Sequence, residues 1–306
     1  MSEHHTHCQH NHFNPALKSS KITIILVLAL VIAKTIALVI SGSAAVLSAL
    51  IDSLGDIGLS IMTLIAVQWS LKPADDNHRY GHGKVEAIAA MIQGMILAGG
   101  GIFLVFEAFG RFINPTEIKA HIPTLALMAF SILFSALIAY VQKRGAEDSN
   151  SLAVEADSKH YASDVLINGA VFLVVLADYF DILGAWLDPL CALGVAGLMA
   201  KSAYEIIISA VAMLLDQELP AEQRNKIIAK IKSHPSVLGY HDLRTSQSGM
   251  KTLISCDIEL PPTMTVGEAH TIIRHIESTI QLDFPNSEIM IHVDPQGDTA
   301  DSRHHI

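Results

Sequence analysis

Residues 44–67 read AAVLSALIDSLGDIGLSIMTLIAV, an apolar run long enough to cross a bilayer as a helix, yet with Asp52 and Asp56 near its middle. Four residues apart, the two carboxylates share one helix face. A second run, HYASDVLINGAVFLVV at 160–175, repeats the spacing with His160 and Asp164. Each aspartate at mid-membrane costs roughly 2.5–3.5 kcal/mol, so such groups demand a partner, a water-filled cavity or a proton. Helix capping or bridging would account for the aspartates, but it does not call for a matching His/Asp pair on another span. The alternative is a four-ligand site, Asp52, Asp56, His160 and Asp164, whose O/N donors suit tetrahedral Zn²⁺ and other divalent first-row ions.

The rest of the chain fits a membrane setting. Of its 306 residues 51% are hydrophobic and only 16% charged, with mean hydropathy +0.41, too apolar for an ordinary soluble domain. A net charge of −10 argues against a nucleic-acid partner. Three cysteines without paired spacing, Cys8, Cys191 and Cys256, form no disulfide framework. No GxxxxGK[ST] loop is present, so an ATP-driven pump is not indicated.

Apolar runs at roughly 21–41, 44–69, 87–111, 121–142, 160–179 and 185–213 predict six transmembrane helices. The first exceeds the about 7–15 apolar residues of a signal-peptide core, so a retained anchor is expected. Lys18, Lys21, Lys72, Arg79, Lys84, Lys143, Arg144 and Lys159 fall on one side, against Arg111 and Lys119 on the other; the positive-inside rule puts both termini in the cytoplasm. Lys34, toward the outer end of span 1, is expected to snorkel. On span 3, Gly94, Ala98 and Gly101 lie close to one face, a small-residue pattern for helix packing.

After Asp216 the pattern changes to amphipathic helix, two β-runs joined at Ser248-Gly249, a second helix and a last strand, an αββαβ order that suits a small α+β domain. The expected divisions are a His-rich tail at 1–20, a six-span domain at 21–213, the α+β domain at 214–296 and a tail at 297–306. Cys256 alternates with Asp257 and is expected in the core. His234 and His275 read as surface residues.

ALIDSLGD in span 2, HYASD in span 5, ADDNHRYGHGK between spans 2 and 3, six spans and a small C-terminal domain together resemble the cation diffusion facilitator family. The resemblance implies a homodimeric divalent-cation/proton antiporter in the cell's inner (plasma) membrane, not an enzyme, with the intramembrane tetrad as transport site and a metallochaperone-like cytoplasmic domain. It assigns Asp75, His78 and His82 to a second site in the Pro- and Gly-broken loop, where a solvated turn is the alternative, and leaves Asp76 outside it. It further implies a binuclear cytoplasmic centre of His241, Asp257, His270, His292 and Asp294, with His270 bridging, and an inter-domain ion pair between Lys84 and Asp216, for which plain solvated charges are the alternative. Here Asp257 stands where the family pattern has histidine and Val293 where it has glutamine; a carboxylate in place of imidazole favours harder cations and leaves stoichiometry and affinity open.

Metal binding needs ionised carboxylates and a neutral His160, so an arriving ion displaces the protons an empty site holds, which is the basis of exchange. The donor set accepts Zn²⁺, Cd²⁺ and Fe²⁺, with Co²⁺ and Mn²⁺ as further candidates, and the sequence leaves open which of them is physiological. A metal-gated passive channel and a flux-free membrane sensor are the rival classes; deep, multi-carboxylate sites suit alternation better than rapid permeation. The leader SEHHTHCQHNH at 2–12 carries five histidines and a cysteine but no apolar periodicity. It reads as a disordered tail, either a loose metal collector or a solvated leader, and SRHHI at the other end is of the same kind.

Overall fold

The computed structural model describes residues 14–41, 44–113, 122–179 and 187–297. Both His-rich ends and Lys119 lie outside the described residues. The chain divides into two compact units, 1–211 and 212–306.

The first unit holds long helices α1 (Pro15–Ser41), α2 (Ala44–Ser70), α3 (Val85–Ile113), α4 (Ile122–Ser149), α5 (Leu152–Tyr179) and α6 (Leu187–Leu214). Their ends follow local chemistry. Asn14 Oδ1 accepts the Ala16 N–H at 2.9 Å and Pro15 occupies the first turn of α1. α2 stops ahead of Pro73. Between α4 and α5, Asn150 takes a left-handed φ of 57° and the Ser151 hydroxyl accepts the Val154 N–H. α5 therefore starts two turns ahead of the apolar run at 160: hydropathy marked where the helix becomes apolar, while the caps mark where it begins.

Among the described residues five helices are long and apolar enough to cross a membrane, within α1, α2, α3, α5 and α6. Large apolar side chains such as Ile36, Val39, Phe103 and Phe106 face outward, whereas Ser53, Ser60, Thr63, Gln93, Gln142 and Asp157 are buried inside. Polar groups inside and hydrocarbon outside is the arrangement that lipid favours, since interior partners satisfy what hydrocarbon cannot. α1 packs on α2 and α4, α4 on α5, and α2 and α3 on α5. A Cβ at Gly94 would lie 2.8 Å from Ile207 Cγ1 of α6, and one at Gly145 of α4 would overlap Ser19 of α1, so each contact needs glycine. Lys34 departs from the snorkelling expectation. It is 6% exposed and donates to Ser53 Oγ at 2.7 Å and Ala49 O at 3.1 Å on α2, because the α1–α2 packing puts acceptors within its reach.

The second unit contains α7 (Ala221–Lys232), β1 (Gly239–Ser248), β2 (Lys251–Leu260), α8 (Val266–Gln281) and β3 (Ser287–Pro295). The strands order β1-β2-β3, the first pair antiparallel and the second parallel, with α8 as the crossover. Gly249, at φ 59°, opens the two-residue β1–β2 turn. Alternate residues of β2, Ile254, Cys256, Ile258 and Leu260, form the core with Ile272, Ile276 and Ile280 of α8 and Ile227 and Ile231 of α7. α8 starts with a capping box, Thr265 and Glu268 each bonding the other's backbone N–H.

Candidate metal centres

In the helical unit, Asp56 of α2 meets His160 and Asp164 of α5. One ligand atom from each lies within 4.8 Å of the others. His160 Nε2 is 3.3 Å from Asp56 Oδ1 and 3.8 Å from Asp164 Oδ2. Tetrahedral coordination with metal–ligand bonds of about 2.0–2.1 Å sets neighbouring ligand atoms about 3.3 Å apart, so this spacing suits a zinc-sized ion with little movement. Asp52, one turn away on α2, is exposed and lies outside this compact group.

The α5 pair is positioned by buried polar contacts that the sequence reading did not single out. Tyr161 Oη and Ser60 Oγ hydrogen-bond at 2.8 Å between α5 and α2. Tyr161 packs among Val27 of α1, Ile57 of α2 and Ile138 of α4. Gln142 of α4 donates to the fully buried Asp157 of α5. At the start of α5, buried Glu86 of α3 accepts the Ser151 hydroxyl at 2.5 Å and the Ser70 hydroxyl at 2.7 Å, with further bonds from the Leu152 and Ala153 backbone. Asp157 was missed because a window on hydropathy treats residues 143–159 as inter-span loop, and Glu86 because it stands one residue ahead of the apolar run that starts at 87. The available signal was the N-cap pattern at Asn150-Ser151, which puts Asp157 inside the helix and one turn before His160.

In the connection between α2 and α3, Asp75, His78 and His82 also bring ligand atoms within 4.8 Å. Asp75 Oδ1 accepts the backbone N–H of His78 at 2.6 Å and of Asn77 at 2.9 Å. Asp75 reaches His78 Nδ1 at 3.2 Å and His82 Nε2 at 3.4 Å. Gly81 turns the loop at φ 82°. Asp76 points away, paired with Arg79 at 3.2 Å.

In the α+β unit, His241, Asp257 and Asp294 form a third such group. His241 and Asp257 are directly paired across β1–β2, at the edge of a bulge where Asp242 adopts φ 48°. His241 Nδ1 is 3.6 Å from Asp257 Oδ2 and its Nε2 is 3.3 Å from Asp294 Oδ2. His292 reaches the other Asp294 oxygen at 3.1 Å. His270 is exposed on α8, which packs on the opposite sheet face, the one carrying Cys256. Burial pushes the Cys256 thiol up to about 12, as befits a core residue and not a thiolate ligand. His234 and His275 stack edge to face at 5.4 Å, apart from these groups. Lys84 belongs to the first unit and Asp216, with φ 55°, to the second.

The sequence matches the cation efflux transmembrane domain over residues 20–215 and the cation efflux protein cytoplasmic domain over 219–296. It is 39% identical over 259 residues to the cation-efflux pump FieF of Escherichia fergusonii, covering 83% of this chain and 84% of that one. The FieF pump of Shigella flexneri is 37% identical over 255 residues with the same coverage. The solved metal-bound C-terminal domain of the CzcD transporter from Thermotoga maritima is 29% identical, covering 26% of this chain and 92% of that one, with a TM-score of 0.25.

Proposed function

Because the chain belongs to the cation diffusion facilitator family of metal-efflux transporters, we propose that it exports a divalent cation in exchange for protons, with Asp52, Asp56, His160 and Asp164 as the transport site. The observation that carries this reading is the convergence of Asp56, His160 and Asp164 within 4.8 Å from two apolar helices. Binding requires ionised carboxylates and an unprotonated His160 Nε2, so an arriving ion releases protons and returning protons release the ion. Because the ligands come from both α2 and α5, a tilt of one helix against the other opens the site to either side. Asp52 supplies the fourth ligand when its side chain turns toward Asp56. Zn²⁺ is the preferred substrate, and the same donors accept Cd²⁺, Fe²⁺, Co²⁺ and Mn²⁺.

In this reading α4, apolar over its first two-thirds and packed on α1 and α5, is the sixth span, and both termini face the cytoplasm of a cell whose inner (plasma) membrane holds the protein. The loop group of Asp75, His78 and His82 leaves one position to water and serves a regulatory or feeding role. The α+β domain joins two copies into a homodimer. His241, Asp257 and Asp294 would hold one ion there; His292, beside Asp294, and His270, presented by a second copy, extend the centre to two.

The test is Zn²⁺ uptake into reconstituted vesicles under an imposed pH gradient. Asp56→Ala and His160→Ala should each abolish uptake, and collapsing the gradient should stop net transport by the unaltered protein. Uptake that survives either substitution would rule out this site assignment.

A further inference from the structure

Lys34 is a cation inside the apolar bundle that the exchange reaction does not employ. It lies on α1, 6% exposed, with its ammonium donating to Ser53 Oγ at 2.7 Å and Ala49 O at 3.1 Å. Both acceptors are neutral, and Ser53, itself fully buried, adjoins Asp52. Ala49, Ser53 and Asp56 follow one another at i, i+4 and i+7 along α2, so the ammonium lies against the helix face that carries Asp56 of the transport site. A charge at this depth persists only where opposite charge compensates it.

We infer that Lys34 is a fixed counter-charge that sets the valence of the transport site. The inference rests on the transport-site reading above. Three carboxylates and one ammonium, with His160 neutral, leave two negative charges, which a divalent cation cancels. The loaded site is then neutral, the condition under which a charged assembly crosses a low-dielectric region at least cost. A monovalent ion leaves a negative charge behind and a trivalent ion adds a positive one. Lys34 also lowers the affinity of the site for its cargo by direct repulsion, so that a site with three carboxylates still lets the ion go. Without it, the loaded site retains a negative charge, and the ion binds more tightly and leaves more slowly. Lys34 acts through this field and not as a ligand. Its hydrogen bonds to α2 hold the ammonium in place.

Lys34→Gln should lower the half-saturating Zn²⁺ concentration about tenfold or more and reduce maximal transport with it, the effect of removing a nearby positive charge from a site of moderate dielectric. Lys34→Arg, which keeps the charge, should restore the half-saturation of the unaltered protein. If Lys34 only ties α1 to α2, Lys34→Gln would lower maximal transport and thermal stability while leaving half-saturation unchanged, and that result overturns the inference. A second measurement needs no variant. Zn²⁺–Zn²⁺ exchange moves only the loaded site, so its rate in vesicles of the unaltered protein should not respond to a potassium diffusion potential; a several-fold response overturns the inference. Asp56→Ala separates the two readings. If that variant still transports, the transport-site assignment fails. If it is inactive while Lys34→Gln has unchanged half-saturation, only the role of Lys34 fails.

Discussion

Asp75 is an exposed carboxylate that the loop backbone holds in its charged form. The His78 backbone N–H is the main cause keeping its pKa below the ordinary value, with the Asn77 N–H and the His78 ring adding to it. A depressed carboxyl contributes order that is complete above its unfolded value, about 3.9, and is lost as pH falls through the lower folded value. The Asx turn should therefore survive mild acid. An NMR titration of the His78 amide proton, in nanodiscs without metal, should show its midpoint below about 3.9. A midpoint at or above the ordinary aspartate value would remove the backbone-bond explanation. Single residues were legible where their chemistry conflicted with their surroundings: Asp52, Asp56 and Asp164 stand out because hydrocarbon penalises them. Lys34 conflicts with its surroundings just as strongly, but a lysine's reach lets a sequence reader send it to the bilayer surface, and only the position of α2 shows that it stays inside.

At the scale of helices, the candidate site depends on where α5 is anchored. Glu86 bonds the hydroxyls of Ser70 and Ser151 and the first amides of α5, so one buried carboxylate fixes the end of α2, the start of α3 and the start of α5. Hydrogen bonds to a charged group contribute about 1.5–3 kcal/mol each, so Glu86→Ala should destabilise the protein by about 3 kcal/mol or more. Since His160 and Asp164 ride on α5, the same change should weaken Zn²⁺ binding even though Glu86 is no ligand. A detergent thermal-shift assay with and without Zn²⁺ checks both; unchanged melting and unchanged Zn²⁺-induced shift would show the contact to be dispensable. Periodicity and hydropathy made the helices themselves legible, together with the αββαβ order and the core position of Cys256. The two turns of α5 before His160 were not, because Glu155, Asp157 and Lys159 make that stretch look like loop. Its polar groups instead meet Gln142 of α4 and Glu205 of α6, segments distant in sequence, and pair within the helix as Glu155 and Lys159 do.

For the whole molecule, chemistry and concentration separate along the chain. The compact groups Asp56, His160, Asp164; Asp75, His78, His82; and His241, Asp257, Asp294 each come together among the described residues. None needs the five histidines of SEHHTHCQHNH, which lie outside the described residues. A segment bearing weak ligands raises the local concentration of metal near its anchor, an effect that matters when metal is scarce and vanishes when the site is saturated. Deleting residues 2–12 should therefore leave maximal transport unchanged and raise the half-saturating Zn²⁺ concentration by about two- to fivefold, well short of the larger gains that tethering reaches with strong ligands. The measurement is initial uptake into inside-out vesicles across a series of buffered free Zn²⁺ concentrations. Unchanged half-saturation would make the leader a solvated end without a role. A loss of maximal rate at saturating Zn²⁺ would mean that the leader takes part in turnover, since no increase in local concentration can speed a site that is already full.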